Sequence, residues 1–192
     1  MEEILWKIKG FLTEPTKTFR KVKKERIGEG IKYYALLALI YNILNGIVVY
    51  NIVAFFPLMP ETFAAIYRNS IIAIIILGYV VSFVVVFIAS LLIHFFVWVL
   101  GGNKGYWQTL KSNLYSTTPN FLFGWIPGVN IITAIWCLIL NIIGISELQE
   151  ISRGRAFLAI ILPILIIIVI SVALAMIAYF WYLSIAETAE TF

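Results

Sequence analysis

GGNKGYWQTLKSNLYSTTPNFLFGWIPG, residues 101–128, is the stretch that decides how the rest of the chain is organised. It lies between long apolar runs, yet it is too polar for an ordinary membrane span and too apolar for an ordinary loop. It contains Pro119 and Pro127 and a series of amide and hydroxyl side chains: Gln108, Ser112, Asn113, Ser116, Thr117, Thr118 and Asn120. Polar groups in hydrocarbon must be satisfied within the protein, so such a segment persists only among other helices or facing water. We therefore predict that it is buried inside a helix bundle.

The composition is typical of a membrane protein. Of the 192 residues, 62% are hydrophobic and only 12% are charged, and the mean hydropathy is +0.98. A soluble domain of this length needs more charge to cover its surface. The net charge of +4 does not indicate nucleic acid as a partner, because polytopic proteins keep basic residues in their cytoplasmic loops. We predict an all-α, polytopic membrane helix bundle that is integral to the membrane and multi-pass, in the cell membrane if the source is prokaryotic.

Few side chains are suited to catalysis. The chain has no aspartate, and His94 and Cys137 are its single histidine and single cysteine. Aspartyl intramembrane proteases, His-Glu zinc helices and Ser-His-Asp triads each need residues that are missing here. We therefore predict a protein that is not an enzyme and has no catalytic residue, cofactor or metal site.

Apolar runs of sufficient length predict five transmembrane helices. They cover residues 33–56, 71–100, 110–126, 129–145 and 156–183, with a short loop at 57–69. The third is the weakest, and Pro119 is expected to bend it, with nearby hydroxyls satisfying the carbonyl that the proline leaves free. The organisation that follows is a cytoplasmic amphipathic and basic segment at 1–32, a five-helix transmembrane domain at 33–183 and an acidic external tail at 184–192.

The basic residues predict the orientation. With the N-terminus in the cytoplasm and the C-terminus outside, nine Lys and Arg precede the first span and four more lie in other inner segments, so only Arg68 of the fourteen lies outside. This distribution obeys the positive-inside rule. One alternative stays open, because the same charges remain inside if the third and fourth spans form a re-entrant hairpin.

The N-terminal segment has two parts. Residues 1–12 are weakly amphipathic and suit the membrane interface, and Pro15 ends them. Residues 16–32 carry seven basic side chains, which indicate either attraction to anionic lipid headgroups or a docking site for an acidic cytosolic protein. The candidate surface for a partner or lipid consists of Lys21, Lys23, Lys24 and Arg26.

Polar residues recur on one face of several spans. This pattern is typical of helix contacts in lipid. The Asn113, Thr117 and Asn120 face of the third span is predicted to pack against the first and fourth spans. His94, an ionisable group within a span, is a functional candidate by its position, or a neutral ring bonded to a neighbouring hydroxyl or amide. The candidate polar interior comprises Asn42, Asn45, His94, Asn113, Asn120 and Asn141.

Several short motifs resemble the YIP family of Ypt/Rab-interacting membrane proteins, in the broad form that includes prokaryotic members. They are residues 15–19 (PTKTF), Gly101 with Gly102, residues 107–110 (WQTL), Pro119, Pro127 and residues 152–156 (SRGRA). The resemblance covers nearly the whole chain and implies a five-span protein with a cytosolic N-terminus. Eukaryotic members are associated with small prenylated GTPases and vesicle traffic, and the family offers no catalytic residues to transfer.

Two function classes follow from these observations. One is a non-enzymatic protein that organises a protein or lipid partner at the cytosolic membrane face, alone or as a homo-oligomer. The other is a small-solute transporter or channel that uses the Asn, Ser and Thr faces as a path. A solvent-accessible cavity reaching Asn42, Asn120 and Asn141 would favour the transporter, whereas a dry and closed core would favour the organiser.

Overall fold

The computed structural model describes residues 2–55 and 60–190, with the side chains of 54, 55 and 183–190 left undescribed. The described chain is helical and contains no strand. Its helices are α1 (Glu2–Thr13), α2 (Pro15–Val22), α3 (Ile27–Phe55), α4 (Glu61–Asn69), α5 (Ile71–Val99), α6 (Tyr106–Ser116), α7 (Thr118–Phe123), α8 (Val129–Gln149) and α9 (Arg153–Glu190). The acidic tail predicted at 184–192 continues α9 as far as Glu190, and its side chains lie outside the described residues.

Four of the described helices are long and apolar enough to cross a membrane: Ile27–Val53, Ile71–Val99, Val129–Gln149 and Arg153–Tyr182. They correspond to the predicted first, second, fourth and fifth spans. The loop predicted at 57–69 is wrong over its second half, which forms α4. Pro60 precedes the first turn of α4, and Arg68 in the last turn forms an ion pair with Glu61 in the first.

The predicted third span is divided into α6 and α7, and neither piece is long enough to cross a bilayer alone. The division falls at Thr117, two residues before Pro119, whose missing N–H cannot bond to the carbonyl of Tyr115. The hydroxyl of Thr118 donates to that carbonyl instead, at 2.6 Å. The predicted bend and its rescue by a nearby hydroxyl are therefore both present.

The N-terminal helices are part of the bundle core. Phe11 and Phe19 are fully buried, with ring centroids 4.8 Å apart, and Phe11 stacks on Tyr115 of α6 at 4.9 Å. Apolar burial of this kind is the main favourable term in packing a helix onto a surface. The segment predicted to lie at the interface thus has one face inside the protein, while Trp6 remains exposed.

α2 runs alongside α8 in the same direction. Phe19 lies against Gly144, where an added Cβ would come within 2.7 Å of the ring. One turn further on, Lys23 lies beside Glu150. In the other direction, Leu12 borders a small cavity with Val129 and other residues of α7 and the first half of α8. α2 therefore packs against the C-terminal part of α8, and the end of α1 shares a cavity with its first half.

Candidate functional site

Lys111 holds the end of α2. Its buried ammonium group donates to the carbonyl oxygens of Lys23 at 2.7 Å and of Glu25 at 3.0 Å. The last carbonyls of a helix have no partner within the helix and carry partial negative charge, so a cation is stabilising there. The charge of Lys111 is thus used internally to fix the chain between α2 and α3.

Two acidic residues at the end of α8 hold the outer face of α2. Arg20 Nε lies 2.8 Å from Glu147, and Lys23 Nζ lies 2.5 Å from Glu150. Glu150 also pairs with Lys104. Hydrogen bonds from Lys104 and Lys23 lower the pKa of Glu150 to about 2. Because each pair has at least one partner that is more than half exposed, each contributes little energy alone, and their main effect is to orient α2.

The side chain of Lys7, in α1, is a buried cation. Lys7 is only 3% exposed and lies 3.0 Å from Glu25 and 2.9 Å from Glu3. The hydroxyl of Tyr115 donates to the same oxygen of Glu25 at 2.8 Å. Burial alone would lower the pKa of Lys7, but hydrogen bonds to Glu3 and Glu25 outweigh burial and raise it. Lys7 therefore stays charged and ties α1 to the α2–α3 connection.

The outer side of this unit is a basic groove, which we define as the groove between α1 and α2. It has a volume of about 260 Å³ and is lined by Trp6, Lys9, Gly10, Thr13, Glu14, Lys17, Thr18 and Lys21. The ammonium group of Lys21 lies 4.9 Å from the centre of the Trp6 ring, a cation–π distance. A positive groove with an exposed indole has the chemistry of a site for an anionic headgroup or peptide.

The four predicted surface residues thus differ in their surroundings. Lys21 lines the basic groove, and Lys24 and Arg26 are exposed without an ion pair among the described residues. Lys23 is instead occupied by Glu150. Sequence reasoning missed Lys7 and Lys111. For Lys111 the available signal was its position inside the predicted third span, because an ionisable group within a span usually pairs with a specific partner.

His94 belongs to a separate chain of hydrogen bonds at the same end of the bundle. Its Nδ1 lies 2.9 Å from Thr109 Oγ1, which also accepts from the buried amide of Gln149 at 2.9 Å. Gln149 donates to the carbonyl of Gly105 and accepts from the backbone of Lys104. These bonds join α5, α6 and α8 around the loop that precedes α6, so His94 has the hydroxyl partner of the packing interpretation.

Most of the predicted polar interior lies around one cleft, which we call the amide-floored cleft. The cleft has a volume of about 500 Å³ and lies between α3 and α5 on one side and α8 on the other, with α6 and α7 as its floor. Its polar lining includes Asn42, Asn113, Asn120 and Asn141, together with Ser82, Ser116 and Thr117. Asn45 does not line it. A cavity that reaches Asn42, Asn120 and Asn141 is therefore present.

The floor of this cleft departs from the predicted packing in one respect. Asn113 donates to Ser90 of α5 at 2.6 Å, so its partner is on the second span and not on the first or fourth. The reason is the short connection at 100–105, which folds α6 back against α5. Asn120 accepts from Thr133 of α8 at 3.2 Å, as the prediction of a contact with the fourth span requires.

Neither region assembles a recognisable catalytic centre. Among the residues that the structure describes, no group of three His, Cys, Asp or Glu side chains could hold a metal ion. Cys137 is half-buried and lines the amide-floored cleft. The arrangement offers binding chemistry in two places, cationic in the basic groove and neutral in the cleft.

A family model described as the Yip1 domain matches residues 9–186, which is nearly the whole chain and includes the cleft and most of the basic groove. Comparison with curated proteins finds no match, and neither does comparison with solved structures.

Proposed function

The chain belongs to the Yip1 domain family and is an integral membrane protein, and from that premise we propose that it is a non-enzymatic organiser that holds anionic lipid headgroups, or an acidic protein, at the cytosolic membrane face. One observation carries the proposal. The unit formed by α1 and α2 turns its aromatic face into the bundle and its basic face outward. Lys111, Glu147 and Glu150 hold it in that orientation.

The uncompensated charge of this surface supports an anionic partner. Lys24 and Arg26 are exposed and form no ion pair among the described residues, and Lys21 lies in the basic groove over Trp6. Basic residues near a membrane surface are attracted to anionic lipid by about 1 kcal/mol each. The indole of Trp6 suits the headgroup level of a membrane, where its N–H can contact water while the rest of the ring contacts apolar groups. The partner therefore needs negative charge and an apolar portion.

The orientation is part of the proposal. The α2 surface, Lys104, Arg153 and Arg155 lie at the same end of the bundle, and we place this end in the cytoplasm by the positive-inside rule. The course of α1 and α2 supports the re-entrant alternative for α6 to α8. α2 packs against the C-terminal part of α8, and Leu12 shares a cavity with its first half, while Lys9, Glu14 and Lys17 are exposed. In a full crossing these charged side chains would lie towards hydrocarbon depth.

The test compares two triple variants with the same change in net charge. Lys21→Gln, Lys24→Gln and Arg26→Gln together remove the proposed surface. The control replaces Lys32, Arg153 and Arg155 by Gln. Each protein is purified in mild detergent from one membrane source, and retained phosphatidylglycerol is measured against retained phosphatidylcholine. We expect the first variant alone to lose the enrichment in anionic lipid, and equal retention by both variants would contradict the proposal.

A small-solute transporter is the second candidate, because the amide-floored cleft reaches Asn42, Asn120 and Asn141. Ile93 and Leu138 line the cleft and pack against an apolar cluster of α5, α8 and α9. A transporter would require that cluster to separate. Uptake of a polar solute into liposomes containing the purified protein would favour this candidate over the organiser.

A further inference from the structure

We infer that the amide-floored cleft binds a neutral lipid with a free hydroxyl group, of the diacylglycerol class, which enters sideways from the bilayer. This site is separate from the basic groove and takes a different chemical class of ligand. It does not depend on the proposed organiser role.

The first argument is an unsatisfied acceptor in the floor. Ser90 Oγ donates its one proton to the carbonyl of Val86 at 2.6 Å, so it can only accept from Asn113, and the side-chain nitrogen of Asn113 must face it. The other end of that amide, Asn113 Oδ1, is therefore fixed as an oxygen, and it has no hydrogen-bond partner in the described part of the chain. Asn113 is 4% exposed and lines the cleft. Buried acceptors without partners are rare and call for an explanation.

The second argument is that two amide groups beside the cleft can still donate hydrogen bonds. The side-chain oxygens of Asn120 and Asn141 accept from Thr133 and Ser112. Their amide nitrogens donate no hydrogen bond among the described residues, and both side chains line the cleft. A hydroxyl group both donates and accepts, so it can bond to Asn113 Oδ1 while it accepts from a neighbouring amide.

The third argument is charge. No charged side chain lines the cleft among the residues that the structure describes. Lys111, which lies in the same helix as Asn113, is bonded to the carbonyls at the end of α2. A phosphate group would enter without a counter-charge, and an unpaired buried charge is strongly disfavoured. This feature selects a neutral headgroup and excludes the anionic lipids that suit the basic groove.

The fourth argument is the route of entry. The walls belong to helices long and apolar enough to cross a membrane, and Val81 and Val85 of α5 line the cleft while 44% and 57% exposed. In a bilayer this rim faces hydrocarbon. The volume of about 500 Å³ falls in the range of roughly 300–1,000 Å³ that is usual for small-molecule sites. A glycerol hydroxyl on the floor and an acyl chain over the rim match this arrangement.

Cys137 provides a reporter, because it lines the cleft and is the single cysteine of the chain. The protein is placed in phosphatidylcholine nanodiscs, and the rate of alkylation by a lipid-soluble maleimide is measured with and without dioleoylglycerol. We expect saturating dioleoylglycerol to slow the reaction about tenfold, which corresponds to about 1.4 kcal/mol. Phosphatidylglycerol and the methyl ether of dioleoylglycerol, which lacks the donor, are expected to leave the rate unchanged.

Two variants on one helix locate the ligand. Val85→Trp places a bulky ring on the rim, whereas Val84→Trp places the same ring at a position that is 51% exposed and does not line the cleft. We expect protection by dioleoylglycerol to persist in V84W and to be lost in V85W. Asn113→Leu should keep the reaction of Cys137 and lose the protection.

Three outcomes would overturn the inference. Equal protection by the methyl ether would show that the hydroxyl is not recognised, and equal protection by phosphatidylglycerol would show that the cleft does not select a neutral headgroup. Absence of protection in the wild-type protein would show that dioleoylglycerol does not bind in the cleft. Rapid modification of Cys137 by a charged, water-soluble thiol reagent would show a water-filled path, as the transporter candidate requires.

Discussion

The ammonium group of Lys111 lies 2.7 Å from the carbonyl oxygen of Lys23, and this contact joins the interior helix α6 to the end of α2. Replacing Lys111 by Met keeps the length of the side chain and removes the charge. We expect a loss of roughly 1–3 kcal/mol, because the carbonyl of Glu25 is left without a donor and that of Lys23 keeps only the long bond from Gln108 at 3.4 Å. The unfolding free energy in detergent measures this loss. Lys32→Met, on the exposed side of α3, is the control, and an equal loss there would contradict the role of Lys111.

The ion pairs of Glu150 with Lys23 and Lys104 predict that the stability of the protein depends on pH. Its pKa in the folded protein is about 2, below its ordinary value of 4.5. A lowered pKa means that the folded state favours the charged carboxylate, so the contribution is present above pH 4.5 and is lost as the pH falls through 2. We expect Glu150→Gln to lower the melting temperature at pH 6 and to have little effect at pH 2. A difference that stays constant between the two pH values would be inconsistent with these pairs.

Gly144 allows α2 to approach α8. A Cβ at this position would come within 2.7 Å of the Phe19 ring and still closer to Ser112 Oγ of α6, so α2 or α6 must shift. We expect Gly144→Ala to cost about 1–3 kcal/mol of stability through overpacking. Gly154→Ala, where an added Cβ meets nothing within 4 Å, is the matched control, and its effect should stay within about 0.5 kcal/mol. Similar melting temperatures for the two variants would mean that α2 and α6 do not approach Gly144 as described.

Local physical rules account for the parts of the fold that sequence reasoning predicted. Apolar runs indicated the long helices, and the chemistry of Pro119 indicated the break and the hydroxyl that repairs it. The docking of α2 was not predicted, because it depends on Phe19 meeting Gly144 and on Lys23 meeting Glu150, more than a hundred residues apart in sequence. No periodicity within α2 or α8 identifies such partners. For the same reason, Lys111 was counted only among the four basic residues of the other inner segments, and its contact with the end of α2 was not predicted.

Asn120 offers a test of the packing of α7. Its side chain accepts from Thr133 and borders the cleft. We expect Asn120→Leu to destabilise the protein by about 1 kcal/mol, because Thr133 loses an acceptor. Ile167→Leu, on an exposed part of α9, should change stability by less than about 0.5 kcal/mol. The yield of folded monodisperse protein and its melting temperature are the measurements, and equal tolerance at the two positions would count against the interior placement.

The last prediction concerns the turn between α7 and α8. Leu12 borders a cavity together with Val129, and Glu14 and Lys17 follow immediately on the exposed side of α1 and α2. If α8 crossed the whole bilayer, we expect these charges to lie towards hydrocarbon depth, where a basic side chain costs up to roughly 2.5–3.5 kcal/mol at the membrane centre. We therefore expect the turn to remain on the cytoplasmic half, as in a re-entrant hairpin.

Thiol labelling in oriented membrane vesicles decides between the two arrangements. Val129→Cys and the more exposed Asn130→Cys are made in a Cys137→Ala background and treated with a membrane-impermeant maleimide from either side. Ser152→Cys and Glu61→Cys serve as references, because both arrangements place them inside and outside, respectively. We expect reagent added from outside not to label the two turn positions. Any labelling should come from the side that labels Ser152→Cys. Labelling from the side that modifies Glu61→Cys would establish five full crossings, and the charges of α1 and α2 would then need a tilted or locally thinned membrane to reach water.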